Sequence, residues 1–219
     1  MAVKVRSLLE SANTDRKNGY SERSVRKTIS DIVARHKDDD VEHGYAINLD
    51  GKLIPHYDED GNLVYDSVGV KGHCNIYGAE DAISIHNHPL REFGVFGGTF
   101  SDGDIRSMIS RNEFMSVAYD QERVFILKKI GWKKGERSED ERFAHAYRNH
   151  ADKLYKQIED SVWSRMMNGE FRNASGKADL NLMSKATTSE WLTRSREWLR
   201  NHSKEYGYEY REYAIRGKK

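Results

Sequence analysis

Two histidines one residue apart, His86 and His88, end the segment AISIHNHP, and a serine and an aspartate, Ser101 and Asp104, follow in SDGDI. On a strand, alternate side chains share a face, so both imidazoles point one way and Asn87 the other. Pro89 stops strand pairing just beyond them, which leaves the rings at an open strand end. Ser101 and Asp104 have the spacing of a helix N-cap and its third residue, a pair that stabilises any helix start. Together the two halves supply two neutral nitrogens and one carboxylate. A catalytic zinc takes three such protein ligands and keeps a fourth position open. On this reading Ser101 remains free beside the metal, with a hydroxyl to offer a developing oxyanion. The chemistry also needs a general base that is not a ligand. Glu42, in DDDVEHGYAINLD, begins a central strand and is the preferred candidate. Glu80, in the exposed turn YGAED, is its rival.

The elements that must position these residues can be read from periodicity. SERSVRKTISDIVARHK carries Val25, Ile29, Ile32 and Val33 at helical spacing, with Ser21 as a cap. HGYAINLD, KLIPHYD, NLVYDSVGV and AISIHNH read as strands, with Asp50-Gly51 and Asp60-Gly61 as type I′ hairpin turns. SDGDIRSMISR is a helix with Ile105, Met108 and Ile109 on one face. FMSVAYD and RVFILKK form a hairpin across Gln121 and Glu122. A charged linker, GWKKGERSED, leads to a long helix with Phe143, Tyr147, Leu154, Ile158 and Val162 at helical spacing. The polar loop NGEFRNASGKADLN separates it from a second helix, TSEWLTRSREWLRNHSK. EYGYEYREYAIR alternates tyrosines with charges and is read as a final strand. The expected organisation is an N-terminal arm over 1–20, a metal-binding domain over 21–130 and a mainly helical region over 131–219.

Composition bounds the function. The chain has 219 residues, 32% of them charged, and a net charge of +1. Its mean hydropathy is −0.86. Neither nucleic acid nor membrane is demanded as a partner by that charge. Cys74 is the single cysteine, which excludes an internal disulfide and Cys-rich zinc ribbons. No segment approaches the ~20 apolar residues of a membrane helix, and the first residues lack a signal-peptide core. A soluble, cytoplasmic protein is expected. Cys74 follows His73, but neighbours on a strand face opposite ways, so a partly buried inert thiol is expected rather than a Cys/His dyad. His145 and His150 are poorly spaced for one ligand face. The C-terminal tryptophans and tyrosines read as packing. The basic stretches GWKK and IRGKK read as solvated ends and leave room for weak nucleic-acid binding.

Glu42, His86-x-His88-Pro89 and Ser101-x-x-Asp104 resemble the JAMM/MPN (JAB-domain) metalloprotease family. HNHP followed by FSDGDI is especially similar to its bacterial RadC-type and phage-associated members. The resemblance covers roughly residues 20 to 130. It implies an α/β (α+β) fold with a curved mixed sheet flanked by helices, here with a helical C-terminal extension. It implies Zn2+ held by His86, His88 and Asp104, Glu42 as the proton-transferring base and Ser101 as stabiliser of the tetrahedral intermediate. The implied activity is hydrolysis of a peptide or isopeptide bond in a protein or peptide, a ubiquitin-like modifier being one candidate. This chain departs from many members in the longer connection PLREFGVFGGTF between His88 and Ser101. That loop adds apolar, glycine-rich chain over the site and is a candidate gate, with Arg91 to Gly98 as its moving part. A second reading, from another class, is an accessory protein of a phage or mobile element that uses the fold for nucleic-acid processing or assembly.

Overall fold

The computed structural model describes residues 19–69, 74–89 and 98–215. Nearly all of the expected N-terminal arm, His73, the candidate gate up to Phe96 and Gly97, and the end of IRGKK lie outside the described residues. The elements run α1 (Glu22–His36), β1 (His43–Ile47), β2 (His56–Tyr57), β3 (Leu63–Val64), β4 (Ser67–Val68), β5 (Ile83–Asn87), α2 (Asp102–Ser110), β6 (Met115–Tyr119), β7 (Arg123–Lys129), α3 (Arg142–Met167), α4 (Leu180–His202), a short 3-10 turn and β8 (Tyr208–Ala214). No helix among them is long and apolar enough to cross a membrane.

Six strands form one mixed sheet in the order β4-β1-β5-β6-β7-β8, and β2 pairs with β3 apart from it. All neighbours are antiparallel except β5 and β6, whose pairing runs from Ile83 opposite Met115 to Asn87 opposite Tyr119. A parallel pair needs a crossover, and here it contains α2. Both faces of the sheet are covered. Val25, Ile29, Ile32 and Val33 of α1 pack on Tyr45, Ile47, Ile83, Ile85, Val117, Val124 and Ile126. On the other face, Ile105, Met108 and Ile109 of α2 and Phe143 and Tyr147 of α3 pack on Ala118, Phe125 and Leu127. Alternate residues of β7 thus enter opposite cores, as the period of a strand requires. With a layer on each side, β5 and β6 are buried at every position, and at roughly 25 cal/mol per Å² this apolar burial is the main stabilising term.

Several local expectations are corrected. Ser21 precedes α1 but bonds no helix N–H; its hydroxyl donates to Ser24 Oγ at 2.9 Å. The two Asp-Gly turns are not type I′, because only the glycine of each pair has a positive φ. Asn48 and Asp58 explain this. In each loop the side-chain oxygen accepts N–H bonds from two and four residues ahead, Asp50 and Lys52 in one and Asp60 and Asn62 in the other. The side chain therefore closes a longer turn, and the glycine takes the one left-handed position. Asn173 builds a third copy with Ser175, Gly176 and Lys177. The second C-terminal helix begins at Leu180, well before Thr188, because Asp179 accepts from the N–H groups of Asn181 and Leu182. Met183 then joins Leu154, Ile158 and Val162 in a small core between α3 and α4. GWKK is not wholly solvated: Trp132 is buried, stands edge-on to Phe114 and donates Nε1–H to the Asn112 carbonyl at 2.7 Å.

The chain end forms the strand read from EYGYEYREYAIR. β8 pairs with all of β7, from Arg123 opposite Ala214 to Lys129 opposite Tyr208. The region after residue 131 thus contributes a strand to the sheet as well as two helices. Several of its aromatic residues pack: Phe143 stacks on Tyr206 and Tyr208, and Trp198 stacks on the rings of His150 and His202, whereas Tyr155 and Trp163 are exposed.

Candidate metal centre

The crossover explains why residues separated in sequence meet. In a strand-helix-strand unit the carboxyl end of the first strand lies beside the amino end of the helix. β5 ends with the histidines, and α2 begins with Ser101 and Asp104. His86 Nε2 and His88 Nε2 come within 3.0 Å of each other. Asp104 Oδ1 lies 3.3 Å from His86 Nε2, and Asp104 Oδ2 lies 3.9 Å from His88 Nε2. A tetrahedral ion with bonds of about 2.0–2.2 Å spaces its ligands about 3.4 Å apart, so the three groups fit one ion with small adjustments. The donor tautomer is also suitable. His88 Nδ1–H donates to the Gly98 carbonyl at 2.8 Å, which leaves the Nε2 lone pair facing the cluster.

The electrostatics point the same way. Burial, reinforced by the charge of His86, pushes His88 down to about 4, so its ring is neutral at ordinary pH. Burial also opposes charge on His86, but Asp104, through its charge and hydrogen bond, with Glu42 and Glu113 farther off, raises it. Burial would raise Asp104; His86 first, then His88 and the Ser101 N–H, outweigh it and hold the carboxyl well below the usual range. The site therefore favours an anionic carboxylate, a neutral imidazole and a positive charge between them. His86 Nδ1 is buried without a hydrogen-bond partner.

Ser101 is not free, contrary to expectation. It and Asp104 form a reciprocal cap: Asp104 N–H donates to Ser101 Oγ at 3.1 Å, and Asp104 Oδ2 accepts the Ser101 N–H and O–H at 2.6 and 2.8 Å. Cap and metal-ligand readings are compatible here, because the cap engages Oδ2 and leaves Oδ1 toward His86. Glu42 lines one small polar cavity together with His86, Asp104, Ser84, Ser116 and Cys74. Glu80 is exposed and is not part of that lining. Cys74 is the inert thiol expected: Sγ donates to the Ser67 carbonyl at 2.8 Å, and burial, with Glu42 and Asp66, pushes it up to about 12. Gly44 is required beside it, since a Cβ there would lie 2.6 Å from Cys74 Sγ and 2.7 Å from Ile76 Cγ1.

Two buried groups carry structure that the sequence reading missed. Asn87 points away from the imidazoles, as alternation requires, and brackets Glu42. Its Nδ2 donates to the Val41 carbonyl at 2.8 Å, and its Oδ1 accepts the His43 N–H at 2.5 Å. Both backbone neighbours of Glu42 are thereby tied to the strand that bears the histidines. The signal available was an amide on the strand face opposite the imidazoles, between the two histidines. Glu113 is fully buried; it accepts from Ser84 at 2.5 Å and pairs with Arg111 at 2.7 Å. Burial nonetheless pushes its carboxyl up to about 7, against the opposing effect of Arg111 and Ser84. Nothing in its local sequence distinguished it from a surface acid.

Comparison with family models, curated proteins and solved structures finds no match to this chain, so the functional reading rests on the geometry and chemistry of the site.

Proposed function

We propose that the chain is a zinc-dependent hydrolase of the JAMM type that cleaves a peptide or isopeptide bond. The observation that carries this reading is the convergence of His86 Nε2, His88 Nε2 and Asp104 at the β5–α2 junction, with the His88 tautomer set by Gly98. When bound, zinc polarises the scissile carbonyl and lowers the pKa of water toward neutrality. His86, His88 and Asp104 hold the ion. Glu42, on the wall of the same cavity, takes a proton from the attacking water and returns it to the leaving amine nitrogen. Asn87 fixes the backbone on both sides of Glu42 and so sets where its carboxylate can reach. Ser101 holds Asp104 in place, and its hydroxyl must turn from Oδ2 before it can meet an oxyanion. A substrate in extended form adds along the short β4 edge next to β1, where Val68 is exposed. A protein or peptide is the substrate class, and the tail of a ubiquitin-like modifier is the specific candidate.

The test is elemental analysis of protein purified without added metal, coupled to a screen of peptide and ubiquitin-like isopeptide substrates. Zinc at this junction and cleavage are expected in the native chain, and both the junction ion and cleavage should be lost in His88→Ala. A chain that neither contains nor takes up zinc at this junction refutes the reading.

A further inference from the structure

A second group of imidazoles and carboxylates lies at the start of β1, on residues outside the junction of β5 and α2. His36 closes α1, Asp39 follows in the turn, His43 opens β1 and Asp66 precedes β4. Asp39 Oδ2 lies 2.7 Å from His36 Nδ1 and 3.1 Å from His43 Nε2. The two rings stack with centroids 4.1 Å apart. When each of those nitrogens carries its ring's one proton, Asp39 accepts both. The other nitrogen of each ring then presents a lone pair to the opposite side. There His36 Nε2 meets Tyr45 Oη at 2.7 Å, and His43 Nδ1 meets Asp66 Oδ2 at 2.8 Å. One ligand atom from each of His36, His43 and Asp66 lies within 4.8 Å of the others. The second oxygen, Asp66 Oδ1, is buried with no hydrogen-bond partner.

The Arg35 guanidinium lies near the Tyr45 oxygen, but no Lys or Arg pairs with Asp39 or Asp66 among the described residues. A ring lone pair at hydrogen-bond distance from a carboxylate oxygen is repulsive unless a proton or a metal ion lies between them. Two imidazoles and a carboxylate are a borderline donor set of the kind that binds zinc-class ions. A carboxylate near the remote nitrogen of each ligating imidazole is the usual support for such a site; Asp39 hydrogen-bonds His36 Nδ1 and lies 3.1 Å from His43 Nε2. We propose that His36, His43 and Asp66 bind a second divalent cation of the zinc class, with the Tyr45 oxygen in the fourth position and Asp39 orienting both rings. All the donors come from the chain, so the site is closed and structural. It ties the end of α1, the start of β1 and the Asp66 turn together.

The experiment uses the full chain and Zn2+ alone, followed by dialysis and elemental analysis. The native chain should retain two ions. The double variant His86→Ala/His88→Ala, which dismantles the junction, should retain one, and zinc should still raise its melting temperature. Adding Asp66→Asn and His43→Ala should remove that ion and abolish the thermal shift. If the combined variant fails to fold, Asp66→Asn in the native background decides, because stoichiometry must fall from two to one. A folded His86→Ala/His88→Ala protein that retains no zinc overturns the proposal and leaves a proton-held hydrogen-bond ring. Retention of zinc that is indifferent to Asp66→Asn overturns it as well. A native chain that holds a single ion, lost with Asp66→Asn and kept in His86→Ala/His88→Ala, supports this site and refutes the one at the junction.

Discussion

The clusters around His86 and around His36 both set two imidazoles against carboxylates, but their surroundings differ. At the β5–α2 junction two of the donors, His86 and Asp104, border a cavity that Glu42 shares, so there is space beside them next to a carboxylate. At the start of β1 each ring nitrogen meets a protein oxygen from Asp39, Tyr45 or Asp66, and the ring of contacts closes on itself. On the two proposals, the same side chains serve turnover in one place and cohesion in the other. What separates the two roles is the presence of a nearby space and a carboxylate that is not needed for holding.

That contrast can be broken experimentally, most decisively at Glu42. Glu42→Gln should retain metal and melting temperature while turnover falls by about 10²- to 10⁴-fold, the range for a general acid–base; undiminished cleavage, with loss in Glu80→Gln instead, would move the base to the other acid. Next in size is the pH dependence from Glu113. Its folded-state pKa, about 7, is raised above the ordinary 4.5, so the folded protein binds the proton more tightly. The stability this confers is fully present below pH 4.5 and is lost as pH rises through 7. By linkage the change is on the order of 3 kcal/mol. Glu113→Gln should remove this slope in denaturation measured from pH 4.5 to 8, and an unchanged slope would place the titration elsewhere. Asn87→Ala strips partners from the Val41 carbonyl and the His43 N–H. Val41 is exposed, so water can replace that bond, whereas an unmet buried group costs about 1–3 kcal/mol; denaturant unfolding should show a loss of roughly 1–3 kcal/mol. In a double-variant cycle with Glu42→Gln, the turnover costs should fail to add if Asn87 acts through Glu42. The smallest effect is at Ser101. Ser101→Ala should cost about 1 kcal/mol in stability through the lost cap. A turnover loss near 10²-fold with no change in metal content would instead give its hydroxyl the oxyanion role.

The junction was legible because its signals are local. Alternation on a strand put His86 and His88 on one side, and a three-residue offset marked the cap at Ser101 and Asp104. The helices and most strands followed from apolar periods of the same short range. What failed depended on partners distant in sequence. The parallel pairing of β5 with β6, the grip of Asn87 on residues 41 and 43, and the burial of Glu113 are set by tertiary neighbours. The cluster at His36 was missed for the same reason: its members come from a helix end, a turn, a strand start and a second turn, with no spacing to mark them. Two local rules were also overridden by a side chain. Asn48 and Asp58 turned expected two-residue hairpins into longer loops, and Asp179 started α4 where the apolar period is faint.

The place of β8 at the sheet edge has a kinetic consequence. Lys129 and Tyr208 are paired neighbours in the sheet but lie roughly 80 residues apart along the chain, and such closures are slow. β8 docks only when α3 and α4 have turned the chain back toward β7. Until then β7, with Val124, Phe125, Ile126 and Leu127 in one run, is an unpaired apolar edge of the kind that captures other chains. Refolding at high protein concentration should therefore lose material to aggregation during that interval, and a chain cut before Tyr208 should remain in that state.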